Sequence, residues 1–325
     1  MPSHPQHILI TGAAGFIGSN LCEHFLELGY SVTGMDNFLT GKPSNIAGFY
    51  SHPNFCFVEG DIRDKSKCGE AMKGISIVLH QAALGSVPRS VKDPLTTNSV
   101  NVDGFLNVIH AAHQAGVKRF VYATSSSVYG DHSGLPKVED AIGKPLSPYA
   151  ASKYINELYA GVFHRLHGME VIGLRYFNVF GKHQDPDGAY AAAIPKFIKL
   201  FLEGKSPVIY GDGSNSRDFP YIKNVIQANE KAAFTTNEKA FGEVFNIAFG
   251  ERTTLLELIT EIKNALSVHA PNVKTISVTH ENERPGEIPH SLASIEKARN
   301  VLGYTPSHSL KAGLQEAVTW YLENI

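Results

Sequence analysis

Tyr149 and Lys153 carry the side chains of this sequence that are best suited to acid–base chemistry. They are four residues apart, so a helix would place the phenol and the ammonium on one face. Ser147 and Pro148 suit the N-cap and the first position of such a helix. Because a nearby cation favours phenolate, Tyr149 is expected to act as a general base near neutral pH. The spacing alone also fits a tyrosine and a lysine that only share a solvated surface.

A glycine-rich turn near the start of the chain indicates what this base would act with. A short apolar run at residues 7–11 predicts a strand, and a helical pattern begins directly after the glycines. The spacing, G-x-x-G-x-x-G, differs by one residue from the usual dinucleotide-binding pattern. Strand, turn and helix in this order can hold a pyrophosphate at the helix N-terminus. The residues predicted to bind the cofactor here are Gly12, Gly15, Phe16, Ile17 and Gly18.

Two acidic residues refine the choice of cofactor. Asp36 ends the second predicted strand, where a carboxylate would meet the adenosine ribose hydroxyls. Its charge would repel a 2′-phosphate, so NAD is expected rather than NADP. Asp61 and Ile62 follow the third strand and are expected to bracket the adenine. The alternative for Asp36 is an aspartate that only caps a loop.

The order of the elements predicts the fold class. Six short apolar strands alternate with helices up to residue 175, which is typical of an α/β protein with a doubly wound, Rossmann-like parallel sheet. Residues 1–176 are expected to form the NAD-binding domain. Gly, Pro and Asp then become frequent and the helices shorter, which predicts a smaller mixed C-terminal domain over residues 177–325. Some of its segments are expected to return and pack on the first domain.

Composition excludes several other functions. The 325 residues carry a net charge of −2, which argues against nucleic acid as a partner. The three cysteines have no metal-ligand spacing, and the histidine pairs 110/113 and 164/167 lack clustered carboxylates, so no metal site is expected. The N-terminal residues do not resemble a leader, and apolar runs are short, so a cytoplasmic protein without a membrane span is expected.

Ser125 completes a recognisable set of residues. It ends the fifth predicted strand, 24 residues before Tyr149, and its hydroxyl would face the crevice. Together with Lys153 and the glycine turn, it makes the chain resemble the extended short-chain dehydrogenase/reductase superfamily. Five further blocks are similar to its nucleotide-sugar epimerases, along nearly the whole chain: His80-Gln81-Ala82-Ala83, Asn101-Val102-Asp103-Gly104, Arg175-Tyr176-Phe177-Asn178-Val179-Phe180-Gly181, Ser216-Arg217-Asp218-Phe219 and Arg284-Pro285-Gly286-Glu287.

The resemblance implies roles for further residues. Gln81, Ala82, Ala83 and Lys153 would contact the cofactor. Asn178, Arg217 and Arg284 match positions that hold the UDP diphosphate, and guanidinium groups suit phosphate oxygens. Either arginine could instead form an ion pair between domains. The family more often has Asp at the position of Glu287. This difference affects how the loop that contains Arg284 is held in place.

The residue after Ser125 favours one reaction. Dehydratases and decarboxylases that resemble this chain carry an acid there, whereas this chain has Ser126. The resemblance therefore implies simple C4 epimerisation of a UDP-sugar through a transient 4-keto sugar, with Ser125, Tyr149 and Lys153 catalytic. A UDP-sugar decarboxylase or dehydratase, and an NAD-sensing protein without activity, are the alternatives.

Ser291 indicates which sugar the protein binds. In similar 4-epimerases a tyrosine at this position excludes an N-acetyl group and a small side chain admits it, so UDP-GlcNAc, or the corresponding uronate, is the expected substrate and UDP-glucose the alternative. Arg89 does not decide between hexosamine and uronate. The other residues expected to contact substrate are Gly85, Ser86, Ser126 and Gln184. Helices at residues 98–115 and 148–167 have apolar residues on several faces, and similar epimerases pair two such helices per subunit, so a homodimer is expected.

Overall fold

The computed structural model describes residues 6–187, 191–283 and 289–325. The strands are β1 (His7–Thr11), β2 (Ser31–Asp36), β3 (Phe55–Glu59), β4 (Ile77–His80), β5 (Arg119–Ser125), β6 (Glu170–Tyr176), β7 (Val208–Tyr210), β8 (Ser216–Arg217), β9 (Val244–Ile247), β10 (Thr253–Thr254) and β11 (Thr279–Glu281). The helices are α1 (Phe16–Glu27), α2 (Lys65–Ala71), α3 (Val87–Lys92), α4 (Pro94–Asn98), α5 (Phe105–Gln114), α6 (Pro148–His167), α7 (Ala193–Leu202), α8 (Ile222–Phe234), α9 (Leu255–Leu266), α10 (Glu296–Leu302) and α11 (Leu310–Asn324).

A seven-stranded sheet in the order β3-β2-β1-β4-β5-β6-β9 forms the centre of the fold. Each neighbouring pair is parallel. Strand order reverses beside β1, and such a switch point opens a crevice at the carboxyl ends of the strands. The predicted doubly wound α/β fold is confirmed. Two small sheets, β10 with β8 and β11 with β7, lie in the C-terminal half.

The sheet separates two apolar cores because successive strand residues point to opposite faces. Ile8 and Ile10 of β1 pack with α1 and α8, whereas Leu9 between them packs with α5 and α6. All three side chains are fully buried. Helices on both faces explain why β1 and β4 are continuous apolar runs rather than alternating ones.

The seventh strand, β9, was not among the six predicted strands. It pairs with β6 although it comes from the part of the chain after residue 176. Asn246 interrupts its apolar pattern, but this buried side chain bonds the carbonyl oxygens of Lys137 and Ser294. The domain division at residue 176 stays a prediction, since β9 from the second half belongs to the sheet of the first.

Helix α6 begins as the sequence predicts. The Ser147 side chain accepts a hydrogen bond from the amide of Ala150, Pro148 is in the first turn, and Gly168 ends the helix in the left-handed region. The helix predicted at residues 98–115 begins earlier, at α4, and continues through a π-helical turn at Ser99–Gly104 into α5. Helices α10 and α11 were not predicted.

Candidate active site

A cleft of about 410 Å³ opens at the carboxyl ends of β1, β2, β4 and β5. The glycine turn, Tyr149 and Ser125 all line it. The predicted cofactor site and the predicted catalytic residues therefore share one cleft. All the residues predicted for the cofactor line it: Gly12, Gly15, Phe16, Ile17, Gly18, Asp36, Asp61, Ile62, Gln81, Ala82, Ala83 and Lys153.

The glycine turn leaves room only for backbone. A Cβ atom at Gly12, where φ is +69°, would lie 2.8 Å from the Ala82 nitrogen. A Cβ atom at Gly18 would lie 2.0 Å from the Gly12 carbonyl oxygen, so α1 packs directly on the turn. Gly15 is the N-cap of α1 and gives its first-turn amides no side-chain acceptor. Those amides, with the positive end of the helix dipole, fit a pyrophosphate.

Asp36 ends β2 at the rim of the cleft and is buried. Its Oδ2 accepts from the Ala14 amide at 2.9 Å, and its Oδ1 accepts from the Phe38 amide at 2.8 Å. Burial raises the pKa of this carboxyl, and the backbone amides lower it in part. The side chain therefore braces the glycine turn as well as presenting a carboxylate to the cleft.

Asp61, on the neighbouring edge of the cleft, forms an ion pair with Arg63 at 2.6 Å. The Asn37 side chain donates to the same carboxylate at 2.8 Å. The Arg63 hydrogen bonds hold the pKa of Asp61 at about 2. Ile62 packs against Gly104, where an added Cβ would lie 2.6 Å from the Ile62 side chain. The predicted adenine-binding pair thus combines a fixed acceptor with an apolar side chain.

Tyr149 and Ser125 line the cleft together. Burial raises the pKa of Tyr149 above its ordinary value, and the neighbouring Ser125 hydroxyl lowers it only in part. The sequence predicted that Lys153 would lower this pKa. This prediction is wrong for the protein without its cofactor, because burial raises the pKa of the phenol instead.

Lys153 is nearly fully buried and lines the same cleft as Tyr149. Its ammonium donates to the Ala123 carbonyl oxygen at 2.9 Å. Burial lowers the pKa of Lys153 to about 8, against the favourable charge of Glu157. The lysine therefore remains mostly protonated at neutral pH.

Two buried networks that support this group were missed from the sequence. Glu157 forms a buried ion pair with Arg175 at 2.8 Å, and its carboxylate also accepts a hydrogen bond from the Thr124 hydroxyl at 2.8 Å. Its position one helical turn after Lys153 is the signal that could have found it. Tyr176 donates to Gln81 at 3.1 Å and accepts from Asn229 at 2.8 Å, which fixes a side chain that lines the cleft. No local pattern links these three residues.

A second cavity of about 240 Å³ adjoins the cleft and is lined by Asn178, Arg217 and Gln184. Gln184 and Val179 line both cavities, so the two are neighbours. The Arg217 guanidinium donates to the carbonyl oxygens of Ser216 and Pro289. Asn178 donates from its backbone and its side chain to the Asp218 carbonyl oxygen.

The remaining predicted substrate residues have different positions. Gly85, Ser125 and Tyr149 line the cleft. Ser86, Ser126 and Ser291 are not among the described residues that line either cavity. Ser86 caps α3, Ser126 begins a short 3₁₀ turn, and the Ser291 amide bonds the Ser216 carbonyl oxygen beside Arg217. Arg284 lies outside the described residues, as do Pro285, Gly286 and Glu287 of its motif.

Comparison with known proteins agrees with this geometry. The model of the NAD-dependent epimerase/dehydratase family matches residues 8–248. The chain belongs to this family. The resemblance to extended short-chain dehydrogenases/reductases is thereby confirmed, and NAD is the cofactor that the glycine turn and Asp36 fit.

Individual members of the epimerase/dehydratase family match this chain over almost its full length. The structure of UDP-N-acetylglucosamine 4-epimerase from Methanobrevibacter ruminantium, in complex with UDP-N-acetylmuramic acid, is 37% identical with a TM-score of 0.91, over 99% of each chain. UDP-glucuronic acid 4-epimerase from Bacillus cereus, solved with UDP-glucuronic acid and NAD, is 32% identical with a TM-score of 0.88, over 98% of this chain and 100% of that one. UDP-glucose 4-epimerase from Mycolicibacterium smegmatis is 35% identical over 96% of this chain and 97% of its own.

No helix within residues 6–187, 191–283 and 289–325 is both long and apolar enough to cross a membrane. Over the same residues, no group of three or more His, Cys, Asp or Glu side chains is arranged to hold a metal ion.

Proposed function

We propose that this protein catalyses the NAD-dependent C4 epimerisation of UDP-N-acetylated hexoses, UDP-GlcNAc to UDP-GalNAc or the corresponding uronates. The observation that carries the proposal is that Tyr149, Ser125 and Lys153 line one cleft together with the glycine turn, and that this cleft adjoins the Arg217 cavity. A base in a dinucleotide cleft that adjoins a cationic cavity suits oxidation of a sugar that is held by its diphosphate.

The residues of the cleft divide the proton chemistry among them. Tyr149, as phenolate, takes the proton of the C4 hydroxyl and later returns it. Ser125 bonds the same sugar oxygen. The Lys153 ammonium, together with the positive charge of a bound nicotinamide, is proposed to favour phenolate against the burial that raises the pKa of Tyr149. NAD, when bound along the glycine turn, supplies the acceptor and donor of the C4 hydride.

Inversion requires that the diphosphate is held firmly and the hexose loosely. Arg217 and Asn178 are proposed to hold the diphosphate, with Arg284 as a second phosphate-binding arginine, so substrate binding falls mainly to residues 177–325. Small residues such as Gly85 leave space for the 4-keto sugar to turn its other face. Gln184, at the junction of the two cavities, is proposed to contact the hexose.

Ser126 favours epimerisation over the elimination or decarboxylation of related enzymes. The 3₁₀ turn that begins at Ser126 presents serines directly after Ser125 and has no acid in its first turn. The position directly after Ser125 therefore offers no carboxyl group that could protonate a departing hydroxyl.

The preference for N-acetylated sugars rests on Ser291, whose small side chain stands two residues from Pro289, the residue that orients Arg217. The likeness to the Methanobrevibacter UDP-N-acetylglucosamine 4-epimerase supports the same preference. UDP-glucose is the alternative substrate, supported by the likeness to the Mycolicibacterium enzyme.

We also propose a homodimer. Leu158, Val162 and Leu166 on α6 are 52%, 38% and 72% exposed, at the spacing of one helical face. Leu95 on α4 is 82% exposed. A second copy that packs on this face would bury these side chains, and the molar mass in solution tests it.

One assay tests the proposed reaction. The purified protein is given UDP-GlcNAc, its uronate and UDP-glucose, and the products are separated by configuration at C4. Interconversion of an N-acetylated pair at a higher kcat/KM than UDP-glucose is expected. Faster turnover of UDP-glucose would contradict the N-acetyl preference, and a pentose or 6-deoxy product would contradict epimerisation itself.

A further inference from the structure

Gln184 has a buried polar atom without a partner at the junction of the two cavities. Its side-chain oxygen, Oε1, is shielded from solvent and makes no hydrogen bond within the described residues. Its Nε2 donates to the Val179 carbonyl oxygen at 3.1 Å, which fixes the amide orientation, since the reverse would place two oxygens together. An unsatisfied buried acceptor is unfavourable by roughly 1–3 kcal/mol. Gln184 lines both cavities, so a turn of its side chain towards the junction would let a sugar hydroxyl satisfy this oxygen.

The main chain of Gln184 is held from the far end of the sequence. The hydroxyl of Tyr321, on α11, lies 3.1 Å from the carbonyl oxygens of both Gly181 and Gln184, which share its one proton in a bifurcated hydrogen bond. Tyr321 is fully buried. Burial raises the pKa of its phenol, so this donor remains protonated at any pH at which the protein works. One hydroxyl thus spans the turn that ends in Gln184.

The turn also has independent supports. His183 adopts φ of +67°, and its Nδ1 lies 2.8 Å from the Ser19 hydroxyl of α1. The Asn20 side chain donates to the Lys182 carbonyl oxygen at 3.1 Å. Because α1 holds this side of the turn, loss of the Tyr321 hydroxyl is expected to release Gln184 without unfolding the segment.

From these contacts we infer that Tyr321 is a positioning residue for the sugar, acting through Gln184. The C-terminal helix fixes the turn so that the unpaired amide oxygen of Gln184 meets the hexose. The role rests on the proposed function, because it assumes that a UDP-hexose enters the junction.

Tyr321→Phe tests this role, because it removes only the hydroxyl. Its KM for UDP-GlcNAc is expected to rise roughly fivefold or more, as for one lost hydrogen bond, with kcat within about twofold. The affinity for UDP alone, which lacks the hexose, should not change. Tyr304→Phe is the matched control, since Tyr304 is equally buried and donates to one main-chain carbonyl, that of Ala248, away from the turn.

A double-mutant cycle separates positioning from general destabilisation. In a Gln184→Ala background, Tyr321→Phe should no longer raise KM, because the group it positions is absent. An equal increase in KM with and without Gln184, or an equal effect of Tyr304→Phe, would overturn the role of Tyr321. A wild-type protein that neither binds nor converts any UDP-hexose would instead contradict the proposed function, and the Tyr321 role with it.

Discussion

Lys153 and Ala123 are joined by a hydrogen bond of 2.9 Å from the ammonium to the main-chain carbonyl oxygen. The bond ties α6, which carries Tyr149, to β5, which carries Ser125 at its end. The three side chains proposed for catalysis are therefore fixed by one helix and one strand, and not by mobile loops. Substitutions among them should change chemistry more than folding.

Tyr149→Phe removes the proposed base and retains its ring. We expect kcat for the preferred UDP-sugar to fall by at least about a hundredfold, the usual contribution of general acid–base catalysis. The melting temperature and the affinity for UDP should remain close to those of the wild type. Tyr154→Phe on the same helix is the control, because Tyr154 is not among the described residues that line the cleft. Full activity in Tyr149→Phe would remove the base assignment.

Asp36→Asn tests cofactor choice. The substitution retains an oxygen for the amides of Ala14 or Phe38 but removes the charge that would face a 2′-phosphate. The ratio of NADP to NAD dissociation constants should fall roughly tenfold, as for one charge repulsion near the surface. Calorimetric titration of protein stripped of cofactor measures both constants. An unchanged ratio would mean that Asp36 only braces the glycine turn.

Ser291→Tyr tests the position proposed to admit the N-acetyl group. A large ring next to the Arg217 cavity should reduce kcat/KM for UDP-GlcNAc more than for UDP-glucose, with a change in preference of roughly tenfold. Ser291→Ala, which keeps the space, should leave the preference unchanged. Equal losses on both sugars in Ser291→Tyr would place the N-acetyl group elsewhere.

His80 should make the protein sensitive to acid. Its ring is buried beside Thr11, and burial lowers its pKa from 6.5 to about 3. Between these values the unfolded chain binds a proton that the folded chain does not, so stability is retained above about pH 6.5 and lost as pH falls towards 3. The contribution is about 1.4 kcal/mol per pH unit within the window.

Urea unfolding of wild type and His80→Gln at pH 6 and pH 4.5 measures this effect. The variant is expected to be less stable at pH 6, yet to lose less stability on acidification. His183, whose pKa burial lowers to about 4, contributes in the same direction in both proteins and cancels in the comparison. Parallel losses in the two proteins would assign the acid sensitivity to other groups.

The parts of the site that could be predicted are those encoded by local pattern. The glycine turn lies at the boundary between β1 and α1, and Tyr149 and Lys153 are one turn apart on α6. At such short range the spacing in the sequence determines the geometry. The missed parts are pairings between distant residues. Tyr321 contacts Gln184 across 137 residues, and Arg119 donates to the Ala232 carbonyl oxygen across 113. Only the folded chain brings such partners together.

The pKa of Tyr149 shows a second limit of prediction from sequence. The spacing of Tyr149 and Lys153 indicated a cation near the phenol. It could not indicate how completely the folded protein excludes water from the two side chains. Desolvation raises the pKa of the phenol and lowers that of Lys153, and its size depends on packing that no short pattern encodes.

The position of β9 has a consequence for how the molecule unfolds. A fragment that ends at residue 176 would expose the whole edge of β6 and deprive Tyr176 of Asn229. An exposed strand edge of this kind promotes aggregation, because its unpaired backbone groups can bond to another chain. We therefore expect that residues 1–176 do not fold stably alone, and that the intact chain loses its structure in a single cooperative transition.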